Sequence, residues 1–103
     1  MATQKDCAQD VTKVLNLIGD KWSMLVLYQL KLKSPMRFKE CQSADGMSSR
    51  TLSLRLSALE KAGLISKQEY SEYPPRTEYT ITEKGLALAP VFDAMTEWSQ
   101  KFL

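Results

Sequence analysis

Ser48, Ser49, Arg50, Thr51 and Ser53 crowd four hydroxyls and one guanidinium into six consecutive positions. The chemistry open to such a group is hydrogen bonding to anions and to the edges of bases. Short hydroxyl side chains permit close approach, and a guanidinium can fork onto guanine O6 and N7. Leu54 follows them as an apolar side chain suited to a thymine methyl group, or as an incidentally exposed leucine. Arg37 and Lys39 are cations of the kind that hold phosphates. Arg76 stands beside Pro74-Pro75, where a stiff loop can offer it to a phosphate or a minor groove, or leave it paired with Glu72 or Glu78.

Other chemistries have little to work with. The chain has no histidine, which removes the serine–histidine–aspartate arrangement, histidine-bearing metal sites and histidine as a general base. Two cysteines, Cys7 and Cys41, are too few for a disulfide framework and wrongly spaced for a zinc ribbon. No nucleophile–base pair or glycine-rich phosphate loop stands out. We therefore expect no catalytic residues, no metal and no cofactor.

Those residues must be positioned by a small fold. A chain of 103 residues makes one domain with a modest core, which oligomerisation would help to stabilise. It is 44% hydrophobic and 25% charged, ordinary for a globular protein, with no apolar run of bilayer-spanning length. The first residues, MATQKDCAQD, lack the apolar core of a signal peptide, so a cytoplasmic location is expected. The net charge of +2 hides an uneven distribution. Residues 31–67 carry eight cations against three acids, whereas residues 1–30 balance and residues 68–103 are acidic by three charges. A positive middle between neutral and acidic ends suits a localised polyanion-binding surface, or a solvated lysine-rich face.

Periodicity supplies the elements. Val11, Val14, Leu15 and Ile18 recur at helical spacing, predicting a helix over about 10–19 that Gly19 ends. A nearly all-apolar helix over 21–32, capped by Asp20, should be central. Met36-Arg37 is a short extended segment before a brief helix over 38–43, and Asp45-Gly46 marks a turn. Ser48 caps a helix over 48–62 that stops at Gly63. Leu52, Leu56 and Leu59 make its inner stripe, which turns Arg50, Ser53, Leu54, Ser57 and Lys61 outward. A hairpin follows over 64–82, and then one long helix over 83–102 kinked at Pro90. The expected class is α+β, mostly helical: a winged helix-turn-helix, with a three-helix core, a β-hairpin wing and helices at both ends.

In that arrangement the helix at 48–62 protrudes toward a major groove of double-stranded DNA and the hairpin reaches the flanking backbone. The last helix has Leu88, Val91, Phe92, Met95, Trp98 and Phe102 on one stripe, more apolar surface than so small a domain easily covers. Pairing of two copies through this helix and the Val11–Val14 face of the first would bury it; packing onto its own domain is the alternative. A winged helix used only for protein interaction, without DNA binding, is the rival function.

Particular stretches resemble the HxlR-type branch of winged-helix regulators, relatives of the MarR group. They are Ile18-Gly19-Asp20-Lys21-Trp22, Arg37-Phe38-Lys39-Glu40, residues 49–56, Leu59-Glu60-Lys61-Ala62-Gly63-Leu64-Ile65, residues 73–79, and Pro90-Val91-Phe92-Asp93 with Trp98. The resemblance implies one domain over 1–103 that acts as a homodimeric transcription factor. It would be a repressor on a pseudo-palindromic operator, with its first and last helices forming the dimer. Three positions depart from the family pattern: Ala8 follows Cys7 where proline is usual, Asp20 replaces a second glycine, and Cys41 replaces a leucine. Some regulators of this type sense oxidants or electrophiles through an N-terminal cysteine, and Cys7, beside Lys5, matches that position; it is either such a sensor or an ordinary cysteine. Cys41, three residues from Phe38, is expected to be a buried hydrophobe.

Overall fold

The computed structural model describes residues 4–42 and 46–103. Its elements run α1 (Gln4–Ile18), α2 (Lys21–Leu32), β1 (Met36–Arg37), α3 (Phe38–Cys41), α4 (Ser49–Lys61), β2 (Ile65–Tyr70), β3 (Arg76–Ile81), α5 (Glu83–Leu86) and α6 (Ala89–Phe102). The strands form one antiparallel sheet in the order β1-β3-β2, with Met36 opposite Tyr79 and Ile65 opposite Ile81. This is the mixed helix-and-sheet winged arrangement that the hydrophobic pattern predicts.

The core lies between α2, α4 and the sheet. Val26, Leu27 and Leu30 from α2 meet Leu52, Leu56 and Leu59 from α4, and Leu64, Ile65, Tyr79 and Ile81 close the cluster from the wing. The leucine stripe of α4 thus faces inward as its spacing dictates. Cys41 sits in the same core with no exposed surface. Burial, with the Glu40 charge adding to it, pushes its thiol up to about 11, so it stays protonated at neutral pH.

Two boundaries differ from expectation. First, α1 begins at Gln4 rather than near residue 10. The apolar stripe marks where packing begins, whereas polar residues that tolerate helix extend the winding before it. Second, the tail is not one kinked helix: α5 ends at Leu86 and α6 starts at Ala89, with Pro90 in the first turn of α6. A first-turn residue needs no i→i−4 partner for its N–H, so the missing proton of proline costs nothing there and its fixed φ favours a helix start. Gly85 permits the break. A Cβ at that position would collide with the Leu64 carbonyl oxygen and stand 2.6 Å from Ile81 Cγ1, so only glycine lets α5 press onto the wing base.

The terminal helices add little to this core: among the described residues, Ile18 from α1 and Phe92 from α6 are their buried members. The radius of gyration is 15.3 Å, against about 13 Å for a compact domain of this length. The long axis reaches 54 Å. Helices project from the body with Val11, Val14 and Leu15 exposed on α1 and Val91, Met95, Trp98 and Phe102 exposed on α6. Phe92 and Leu88, expected among the pairing residues, instead face home. Phe92 is buried with its ring 5.9 Å from that of Tyr28, and Leu88 packs against the core. No described helix is long and apolar enough to cross a membrane.

Candidate nucleic-acid interface

Local chemistry sets the start of α4. Ser48 is the N-cap, its Oγ accepting the Thr51 N–H at 3.0 Å and donating to Thr51 Oγ1 at 3.0 Å. Ser49 Oγ exchanges bonds with the Gln42 amide at 3.1 and 3.3 Å, and Gln42 Nε2 also donates to the Met47 carbonyl at 3.1 Å. The Ser48 and Ser49 hydroxyls, expected to be open to anions, are therefore engaged within the chain. The Ser48 cap takes the Thr51 amide, and helix geometry leaves the amides before it without an intrahelical partner, the usual place for an anion. Gln42 escaped the sequence reading because its partners lie across a turn whose path only the fold reveals. Gly46, at φ 86°, turns the chain here as the turn signal predicts; Asp45 lies outside the described residues.

Along α4, Arg50, Ser53 and Ser57 are exposed, and Leu54 is 56% exposed. Thr51 is half-buried between the cap and the core side. Among the described residues no ion pair engages Arg50. Its guanidinium is available on the same flank as Ser53.

Three ties hold this flank in place. Asp20 Oδ1 caps α2 by accepting the Ser23 N–H at 2.9 Å and also faces Arg55 Nε of α4 at 3.7 Å. Partial burial works to raise the Asp20 carboxyl, but the Ser23 hydrogen bonds and the Arg55 charge hold it below its ordinary value. At the other end Gly63, at φ 80°, stops the helix, and Lys84 Nζ donates to the Ala62 carbonyl at 2.6 Å. Thr82 Oγ1 donates to the Gly63 carbonyl at 2.6 Å and caps α5 by accepting the Gly85 N–H at 3.2 Å. The wing base is thereby fixed to the end of α4.

The wing places its arginine differently from a free contact. Arg76 Nη2 meets Glu72 Oε1 at 3.2 Å, Nε meets Glu78 Oε2 at 3.7 Å, and the guanidinium lies 4.3 Å from the Tyr70 ring centroid. Both acids named as alternative partners are used at once. Arg37 and Lys39 are exposed at the start of α3, where the Arg37 N–H donates to Glu40 Oε1 at 2.9 Å. Together Arg37, Lys39 and Arg76 line one groove between α3 and the wing tip. The Cys7 side chain lies outside the described residues. No group of three potential metal ligands occurs among the described residues.

The chain's relatives share this architecture. A family model described as HxlR-like helix-turn-helix matches residues 17–103. A protein of Halalkalibacterium halodurans named as the HTH-type transcriptional regulator BH0655 is 41% identical over 88 residues, covering 84% of this chain and 78% of its own. A Porphyromonas gingivalis W83 structure described as a MarR-family transcriptional regulator superposes with a TM-score of 0.86 at 29% identity, covering 100% and 99% of the two chains. The structure of the redox regulator HypR in its oxidized form superposes with a TM-score of 0.82 at 32% identity, covering 91% and 97%.

Proposed function

Since this chain belongs to the HxlR-like helix-turn-helix family of transcriptional regulators, we propose that it binds a specific pseudo-palindromic operator as a homodimer and represses transcription there. One observation carries this reading: Arg50, Ser53 and Leu54 on the outer flank of α4 are exposed, while Leu52, Leu56 and Leu59 on its inner stripe are buried. In each subunit Arg50, Ser53 and Leu54 would read base edges from the major groove, with Thr51 and the first α4 amides beside a phosphate. Arg37, Lys39 and Arg76 would add contacts to the backbone, which raise affinity without choosing sequence. The exposed apolar residues of α1 and α6 would meet their counterparts, giving the two-fold symmetry that matches a palindrome.

Fluorescence anisotropy with the duplex upstream of the protein's own gene tests this at two salt concentrations. We expect binding that weakens by roughly a thousandfold or more between 50 and 200 mM salt, as several phosphate contacts require. Absence of any duplex affinity would leave the protein-interaction module as the better description.

A second reading concerns redox response. Cys41 is sealed and its thiol is held protonated, so it is a poor nucleophile. Cys7 is the remaining cysteine, and a structurally similar protein is described as a redox regulator. We infer that Cys7 is the responsive thiol. With diamide, two Cys7 thiols would yield an intersubunit disulfide, their two electrons and two protons passing to the diazene to give the hydrazine. Non-reducing electrophoresis should show a linked dimer and altered operator affinity for the native protein, and neither for Cys7→Ser. Unchanged affinity in the native protein would remove the sensor role.

A further inference from the structure

The groove between α3 and the wing tip has a volume of about 480 Å³ and is lined by Arg37, Lys39 and Arg76 together with Glu72, Pro74 and Pro75. Its cations are unequal. Arg37 and Lys39 have no ion pair among the described residues, whereas Arg76 is held by two carboxylates. Those carboxylates are also unequal. Glu78 is the more sheltered, its side chain 20% exposed, and it lies in the sheet directly opposite Arg37. Glu72 is in the loop, its side chain 53% exposed, and it holds the shorter contact.

Resting on the DNA-binding reading above, we infer that this groove seats a backbone phosphate of the bound duplex and that Glu72 is a built-in competitor for the seat. The excess of positive charge on the groove wall suits a phosphate, and α3, which lines the groove, is tied at its far end to the start of α4 by the Gln42–Ser49 hydrogen bonds. Glu78 and the Tyr70 ring keep the guanidinium in position. The Glu72 carboxylate occupies the outer edge that a phosphate oxygen would take. Binding exchanges one anion for the other, so Glu72 lowers affinity for every sequence alike and plays no part in base choice.

A double-mutant cycle tests this by anisotropy, on the operator and on an unrelated duplex. Exposed ion pairs are weak, so Glu72→Gln should tighten binding to both duplexes by about two- to fivefold at low salt, with the gain fading as salt rises. In an Arg76→Ala background the same change should have little effect. Because Arg76→Ala can loosen the hairpin, Lys39→Ala supplies an independent arm. It should weaken both duplexes and reduce the log–log salt slope by about one. An equal gain with and without Arg76 would show a general charge effect and overturn the competition. Weaker binding by Glu72→Gln would make Glu72 a buttress instead, and an unchanged salt slope for Lys39→Ala would remove the seat. Each of those results leaves operator binding by the native protein intact. Failure of the native protein to bind any duplex would remove the functional reading and the seat together.

Discussion

Trp98→Asp should turn the protein into a folded monomer with operator affinity reduced by at least two orders of magnitude. Trp98 is 57% exposed, and its ring centroid lies 5.5 Å from that of Phe102 on the projecting stripe that also carries Val91 and Met95. A lone subunit gains nothing by presenting these side chains to water, and so broad an apolar face on a small domain calls for a partner. An aspartate placed in the paired interface would be desolvated without a counter-ion. That costs about 3–5 kcal/mol, equivalent to weakening dimerisation by roughly a hundredfold to several thousandfold. Folding should survive, because α6 anchors to its own core through Phe92 rather than Trp98. Sedimentation velocity, with circular dichroism as the check on folding, decides it. A variant that still sediments as a dimer would place the pairing surface elsewhere.

Arg50→Ala addresses the other half of the proposal. Arg50 is exposed in the first turn of α4, and its removal breaks no ion pair among the described residues. A bidentate arginine–guanine contact discriminates by about 1–3 kcal/mol, and a two-fold complex makes it once per half-site. Operator affinity should therefore fall by roughly tenfold or more for each half-site. Affinity for unrelated duplex should fall only by the modest amount that one lost cation causes. Preference at one base position per half-site should relax. Equal losses on both duplexes would make Arg50 a phosphate contact, and no loss on either would remove this flank from the interface.

The parts of this molecule that were legible in its sequence are those governed by local rules. α4 announces itself through a serine cap, leucines at helical spacing and a terminal glycine, and the structure uses all three as expected. The wing follows from alternation in Thr77, Tyr79 and Ile81 around a proline-rich bend. What stayed hidden depends on residues distant in the chain. Ser34 Oγ donates to the Leu30 carbonyl at 2.6 Å and accepts the Ile81 N–H at 3.2 Å, joining α2 to β3. Neither that link nor the Gln42–Ser49 pair has a signature in spacing.

The kink expected at Pro90 gave way to a break for a physical reason as well. Proline is tolerated both as a kink and in a first turn, and the packing of Gly85 against the wing base favours the break. For the terminal helices, periodicity identified an apolar stripe but could not divide it. Burial of Phe92 and exposure of Met95 and Trp98 separate the part that serves the monomer from the part left over.

Methylation interference at guanine N7 probes the proposed placement of α4 most directly, because that atom lies on the floor of the major groove. Wild-type protein should fail to bind operators methylated at one guanine in each half-site, the two sites lying about one helical turn apart. Arg50→Ala should lose that sensitivity at the same guanines. Interference confined to adenine N3 in the minor groove, or none at any purine, would contradict the assignment of this helix as the reader of DNA.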